Sequence, residues 1–282
     1  MRELTPAVRL GVFGVGLVAV LVGALALGRA TGDVADAAPL EAGAHAAHGG
    51  DRPGPDVGAG PLGTTLSAGG LRLDVPTTTL PARQTRPFTF RVLGDGGRPV
   101  TAYDVEQGKQ MHLVLVSRDL ARHAHVHPEL AADGTWSVPL ILAAGSYRAV
   151  ADFSTGGERR SLAVDLAVPG PLEARPLPAP EPTATVGDLR VALSRDGSEL
   201  SFTASRTDGT PVVPQPYLGA RGHLVAFRAG DLAYTHVHPA REEGATTTYA
   251  AQLPGPGSYR LFLELRVDDV VRTVPFTLES SA

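Results

Sequence analysis

Short apolar runs, each followed by a turn signal, fill most of the chain after residue 70. Examples are Phe88–Leu93, Met111–Ser117 and Gly145–Phe153, with a glycine-rich turn at 94–97 between the first two. Strands of this length at intervals of roughly 8–12 residues are typical of a β-sandwich. Beyond the N-terminal region no stretch repeats its apolar residues with the helical period of about 3.6. The pattern therefore predicts an all-β fold.

The same order of strands and turns occurs twice. MHLVLVSRDLARHAHVHP, which begins at Met111, matches GHLVAFRAGDLAYTHVHP, which begins at Gly222. Each copy has about 100 residues, the usual size of an Ig-like domain. We predict two tandem Ig-like or cupredoxin-like β-sandwich domains, at residues 70–168 and 184–279. The proline-rich stretch 169–183 is predicted to be an extended linker, because proline cannot join the interior of a sheet.

The N-terminal part of the chain has a different pattern. An uncharged run from Leu10 to Gly28 follows two arginines and is about as long as the roughly 20 apolar residues that cross a bilayer. It predicts a transmembrane helix, or signal anchor, within residues 1–30, with a cleaved signal and a secreted protein as the alternative. Acidic residues follow the run, so the positive-inside tendency places both domains outside the cytoplasm, at the cell membrane. Residues 31–69, rich in Ala, Gly, Pro and Asp, are expected to be a flexible tether.

Composition narrows the classes of function. The 282 residues carry a net charge of -4 and include no cysteine. This balance gives no reason to expect nucleic acid as a partner, since nucleic-acid binding needs clustered positive charge. The absence of cysteine excludes disulfides, thiolate zinc sites, iron–sulfur clusters and a blue-copper centre with its cysteine ligand.

Histidine has the most specific pattern in the chain. The spacing His-x12-His-x-His occurs twice without change and takes up six of the nine histidines. We call the first copy the first histidine set and the other the second histidine set; their members are His112, His125 and His127, and His223, His236 and His238. Alternate residues of a strand share a face, so a His-x-His pair points both imidazoles the same way. A hairpin between 112–117 and 122–127 then brings His112 opposite or diagonal to His127.

Three neutral imidazoles on a rigid frame suit Cu(II) or Zn(II), and one such site is expected in each repeat. The fourth ligand is expected to be water or a carboxylate; Asp152 and Glu264 occupy equivalent places, although either residue also fits a solvated strand position. Structural or pH-responsive histidines remain an alternative, since duplication copies structural residues along with functional ones. Two more histidines, His45 and His48, lie in the tether, where they fit either a loose metal contact or incidental polar residues.

These residues resemble a known family. The run HLVLVSRDLARHAHVHPEL, followed by DGTW and AAGSYRAVADF, is similar to small bacterial secreted or membrane-anchored β-sandwich proteins described as YtkA-like or heavy-metal-associated. The resemblance covers Gly70–Val168 well and Asp188–Leu278 less well, where ADF has become Leu263-Glu264-Leu265. It implies an Ig-like or cupredoxin-like fold outside the cytoplasm and a role in copper or heavy-metal handling.

Three functions are consistent with the sequence. The favoured one is a non-enzymatic extracytoplasmic protein that holds copper or zinc or passes it on, with the membrane and a metal ion as partners. The second is an interaction module, two Ig-like beads with structural histidines at the cell surface. The third is a zinc hydrolase or lyase, because carbonic anhydrase also combines a His-x-His strand with a neighbouring histidine. No further catalytic motif supports that reading, so no catalytic residue is predicted.

Overall fold

The computed structural model describes residues 63–281. They lie within one compact unit, Val57–Ala282. The predicted anchor, most of the tether, and His45 and His48 fall outside the described residues. Within 63–281, no helix has both the length and the apolar character needed to cross a membrane.

The first repeat contains two antiparallel sheets and one short 3-10 turn at Asp95–Gly97. Its strands are β1 (Ser67–Ala68), β2 (Leu71–Asp74), β3 (Arg86–Leu93), β4 (His112–Ser117), β5 (His123–Val126), β6 (Glu129–Leu130), β7 (Trp136–Leu140), β8 (Gly145–Thr155) and β9 (Glu158–Val168). One sheet has the order β1-β2-β3-β7-β6, and the other has the order β5-β4-β8-β9.

The second repeat has the same arrangement. Its strands are β10 (Thr183–Val186), β11 (Leu189–Asp196), β12 (Glu199–Arg206), β13 (His223–Arg228), β14 (Tyr234–Val237), β15 (Pro239–Glu243), β16 (Thr246–Ala250), β17 (Gly257–Val267) and β18 (Val270–Ser280). The sheets run β10-β11-β12-β16-β15 and β14-β13-β17-β18, the strand order of the first repeat. The fold prediction is confirmed for residues 63–281, which are all-β and form two tandem Ig-like β-sandwich domains.

Apolar side chains fill the space between the two sheets of each repeat. In β3 the alternation of the sequence turns Phe88 and Phe90 inward, where they pack with Trp136. In the second repeat Phe202 packs with Tyr249. A fully buried side chain of this size contributes about 1.5–3 kcal/mol by leaving water. These two cores hold the four-stranded sheets, and with them the histidines, in fixed positions.

A third apolar core lies between the repeats. Every residue of β4 is buried, because Leu113 and Leu115 face the core of their own repeat while Val114 and Val116 face the other repeat. The residues of this interface are Val114, Val116, Leu120, Val150 and Ala163 from the first repeat, and Val225, Phe227, Leu232, Tyr234 and Phe262 from the second. The sequence interpretation of two separate beads did not include this packing. Strands buried on both faces have the near-continuous apolar sequence that β4 shows.

Candidate metal centre

The two histidine sets meet at one end of the interface between the repeats. His112 begins β4, and His223 begins β13, each on the face that its strand turns toward the other repeat. Their rings lie 5.8 Å apart and nearly parallel, at 9°. The ring of His125 stacks on that of His223 at 4.5 Å. The sequence predicted one site per repeat, whereas the structure gathers the imidazoles of both repeats into one cluster.

The first histidine set has the predicted hairpin geometry. The register of β4 and β5 pairs Leu113 with Val126, so His112 lies opposite His127 and diagonal to His125. His112 Nδ1 is 3.0 Å from His125 Nε2. The ring of His127 lies 5.0 Å from that of His112 and 4.7 Å from that of His125. One nitrogen from each histidine falls within 4.8 Å of the other two, so the three side chains offer converging ligand atoms.

When both rings are neutral, the hydrogen bonds of His112 and His125 point two lone pairs at each other. His112 Nε2 is 3.1 Å from the carbonyl oxygen of Glu106, which only accepts, so Nε2–H donates and Nδ1 keeps its lone pair. His125 Nδ1 is 2.8 Å from Oε2 of Glu264. When that Nδ1–H donates to the carboxylate, Nε2 of the neutral ring also carries a lone pair. Two lone pairs separated by 3.0 Å repel each other, and a cation shared between them removes the conflict.

Burial keeps the imidazoles of His112 and His127 in the neutral form that binds metal. Burial lowers the pKa of His112 to about 4, although the hydrogen bond to Glu106 opposes the shift. Burial is also the main cause that lowers the pKa of His127 to about 3. Among residues 63–281, Nε2 of His127 meets no hydrogen-bond partner although it is buried. A buried nitrogen of this kind costs free energy unless something binds it.

Asp152 and Glu264 each bond a histidine of the other repeat. Asp152 pairs with His112 across β8 and β4, and Glu264 pairs with His223 in the equivalent register. Each carboxylate nevertheless bonds the middle histidine of the other repeat: Glu264 bonds His125, and Asp152 lies 2.7 Å from Nδ1 of His236. The two residues proposed as fourth ligands therefore sit behind a histidine, the position that orients histidine ligands in metal sites.

Asp152 has more partners than Glu264. It accepts hydrogen bonds from Arg159, Ser161 and the hydroxyl of Tyr234. Burial raises the pKa of Asp152, but the Arg159 guanidinium and the hydrogen bond with His236 together hold that pKa well below its usual value. Asp152 is therefore ionised, and its negative charge is balanced inside the protein.

Two members of the second histidine set, His236 and His238, are in contact with other side chains, whereas Nε2 of His223 is buried without a hydrogen-bond partner in the described chain. His223 Nδ1 is 3.3 Å from His236 Nε2, so this pair resembles the pair in the first set. His238 differs: its Nδ1 is 3.0 Å from Nε2 of Gln107, and its Nε2 is 2.7 Å from Nη1 of Arg159. Within the described part of the chain, the first set is the one group of three or more potential ligands whose atoms converge.

Three residues near the cluster were not singled out as functional by the sequence. Gln107 and Arg159 contact the second set, and their counterparts in the other repeat, Leu218 and Val271, are apolar. This difference between aligned residues was the one signal in the sequence that could have identified Gln107 and Arg159. His123 aligns with Tyr234; its ring stacks on Phe262 at 4.3 Å, and burial lowers its pKa to about 3.

Fold and site together define a class of protein: a tandem β-sandwich with a histidine cluster between its repeats. The chain belongs to the family described as Domain of unknown function (DUF8832), whose profile matches it twice, at residues 66–170 and 184–282. A search of curated proteins finds no match.

Solved structures with a similar arrangement of strands have low sequence identity. The Escherichia coli adhesin FdeC is 14% identical with a TM-score of 0.28, and the match covers 77% of this chain and 66% of that one. A mutant Salmonella alpha-2-macroglobulin is 13% identical with a TM-score of 0.28, over 79% of this chain and 15% of that one. A titin fragment is 12% identical with a TM-score of 0.22, over 75% and 66%. The chain thus spans about two thirds of the adhesin and a small part of the macroglobulin, and these likenesses carry no functional argument.

Proposed function

We propose that the protein binds a Cu(II) or Zn(II) ion at the first histidine set and holds the ion or passes it on. The observation that carries this proposal is the pair His112 Nδ1 and His125 Nε2, 3.0 Å apart, beside a buried nitrogen of His127 that has no hydrogen-bond partner among residues 63–281. Imidazole nitrogen is a preferred ligand of both ions.

The spacing of the nitrogens fits an ion of this size. Zinc–nitrogen bonds are about 2.0–2.1 Å long, which places ligand nitrogens about 3.4 Å apart in a tetrahedral site. The first pair in this set is separated by 3.0 Å, and all three nitrogens lie within 4.8 Å of one another. Small rotations of the rings are enough to satisfy an ion, and water is the expected fourth ligand.

Glu264 has a supporting role in this proposal. Its carboxylate holds Nδ1–H of His125 and thereby directs Nε2 toward the ligand position. Such carboxylate–histidine pairs fix the tautomer and raise the basicity of the ligand, and their loss typically costs about 10–100-fold in metal affinity. Because Glu264 belongs to the second repeat, the proposed site needs both repeats.

The proposed location is outside the cytoplasm, at the cell membrane. The uncharged run Leu10–Gly28 supports an N-terminal anchor, or a signal for secretion. The resemblance to YtkA-like, heavy-metal-associated proteins supports copper as the ion and an extracytoplasmic place of work.

Calorimetric titration of the purified full chain with Cu(II) and Zn(II) tests the proposal. We expect saturable binding that disappears when His125, His127, His236 and His238 are all changed to Ala. His123→Phe is the matched control, because His123 is buried beside the cluster but offers no ligand to it. A second control, His45→Ala with His48→Ala, removes the histidines of the tether.

The outcomes separate the three candidate functions. Binding that survives the fourfold change and is lost with His45 and His48 would overturn the proposal and leave the interaction module. A zinc-loaded chain that hydrates carbon dioxide or cleaves an ester would point to the hydrolase or lyase instead. Binding abolished by the fourfold change, without such activity, agrees with a protein that holds its ion.

A further inference from the structure

Two side chains of the first repeat block the second histidine set. We infer that Arg159 and Gln107 take up the ring nitrogens of His238 and Nε2 of His236, which an ion would need, so that the two sandwiches together bind one divalent ion, not two. This inference rests on the proposed function, since it concerns the copy of the same motif. The sequence alone predicts two equal sites.

Arg159 lies against His238 and against the side of His236 that faces Asp152. Its Nη1 is 2.7 Å from Nε2 of His238, and its Nη2 contacts Nδ1 of His236. The same guanidinium bonds both carboxylate oxygens of Asp152, at 3.2 and 2.7 Å. One carboxylate and two imidazoles thus surround a positive charge that is permanent at any physiological pH. A metal ion bound by Nε2 of His238 would have to displace it.

Gln107 closes the same set from the other side. Its Oε1 is 3.1 Å from Nε2 of His236, and its Nε2 is 3.0 Å from Nδ1 of His238. Together with Arg159 it engages both ring nitrogens of His238. His127, at the equivalent place in the first set, keeps a nitrogen with no partner in the described chain.

The residue of the second repeat that aligns with Arg159 cannot play the same part at the first histidine set. Asp152 pairs with Ser161, and Glu264 pairs with Thr273; Arg159 and Val271 each stand two residues before the paired position. Val271 carries no charge and is 40% exposed.

Gln107 has a counterpart with the same backbone but another side chain. Gln107 and Leu218 have φ values of 49° and 53°, which marks them as equivalent turn residues. The leucine cannot donate to or accept from an imidazole. The repeats therefore share their histidines and differ in the two residues that close the second set.

Counting bound ions tests the inference. The full chain, with His45 and His48 changed to Ala, is dialysed against Zn(II) and analysed for zinc per chain. We expect one ion for this parent and two after Arg159→Val combined with Gln107→Leu, which gives the first repeat the residues of the second. Arg86→Val, at an exposed arginine whose side chain bonds Gln84, serves as control and should leave the count at one.

A reciprocal variant guards against a misfolded double variant. Val271→Arg adds a guanidinium at an exposed position of the second repeat, and we expect it to weaken zinc binding by about tenfold or more. Two ions bound to the parent would overturn the inference, as would one ion in both the parent and a folded double variant, or unchanged affinity in the reciprocal variant. No ion in either parent or double variant would instead overturn the proposed function. An ion bound by the double variant but not by the parent would contradict metal binding at the first set, and it would still support the role of Arg159.

Discussion

The first and second histidine sets have identical residues at identical spacing, on equivalent strands of equivalent sandwiches. In the first set, His127 leaves a buried nitrogen without a partner among residues 63–281. In the second, the two ring nitrogens of His238 lie 3.0 Å from Gln107 Nε2 and 2.7 Å from Arg159 Nη1. Identical histidines therefore have different surroundings in the two repeats. Under the proposed function, residues from elsewhere in the fold decide which of the two sets binds metal.

The carboxylates also depend on contacts across the interface between the repeats. Glu264 of the second repeat orients His125 of the first, and Asp152 of the first bonds His236 of the second. Neither repeat contains a complete arrangement of histidine and carboxylate on its own. The apolar contacts that join the repeats, such as Val114 with its neighbours across the interface, are thus part of the site.

The strongest contrast is expected between His127→Ala and His238→Ala. His127→Ala removes a ligand of the first set and should weaken zinc binding by about a hundredfold or more, judged against the about 10–100-fold cost of losing an orienting residue. His238→Ala should change zinc affinity by less than about threefold, because Arg159 already satisfies that histidine. Calorimetry on both variants checks this. Equal losses would mean that the two sets are equivalent.

The two carboxylates should differ in what they stabilise. Asp152→Asn weakens the partner of Arg159 and should lower the free energy of unfolding by about 2–3 kcal/mol, less than the cost of breaking a fully buried pair, because Arg159 is partly exposed. Glu264→Gln should cost about 1 kcal/mol of stability but about tenfold in zinc affinity. Urea unfolding and calorimetry measure the two effects. A larger loss of stability from Glu264→Gln would reverse the assignment of roles.

Stability should fall as the pH is lowered from about 6.5 to about 4. The pKa is about 4 for His112 and about 3 for His236 in the folded chain, where burial is the main cause, against about 6.5 when unfolded. The unfolded chain therefore takes up protons in this window while the folded chain does not, and acid favours unfolding. We expect several kcal/mol of lost stability, since a pKa difference of one is worth about 1.4 kcal/mol per histidine, and a Tm lower by about ten degrees or more in metal-free protein. A Tm that is the same at pH 7 and pH 4.5 would contradict neutral, buried imidazoles.

The smallest expected effect concerns His123, the buried histidine outside both sets. Its Nε2 has no partner in the described structure, and its ring already stacks on Phe262. His123→Phe keeps the ring and removes the unpaired nitrogen, so it should raise the free energy of unfolding by about 1 kcal/mol. Thermal unfolding measures this change. A loss of stability would show that His123 has a polar partner in solution.

Local pattern was sufficient to predict the strands, the duplication and the convergence of the first set. The period of two places His125 and His127 on one face, and the turn that follows β4 brings His112 opposite them. What covers that face was not predictable, because alternation shows which side chains share a face and not what packs against it. Arg159 lies 79 residues before His238 in the chain, and only the folded interface brings the two together.

The proposed function requires one ion at the first histidine set. Diffraction data collected at the zinc absorption edge, from crystals of the full chain grown with Zn(II), measure that position directly. The account predicts one anomalous peak in the sandwiches, bounded by His112 Nδ1, His125 Nε2 and a nitrogen of His127, with Arg159 still against His238. A peak at the second set with none at the first, or no peak in either sandwich, would contradict it.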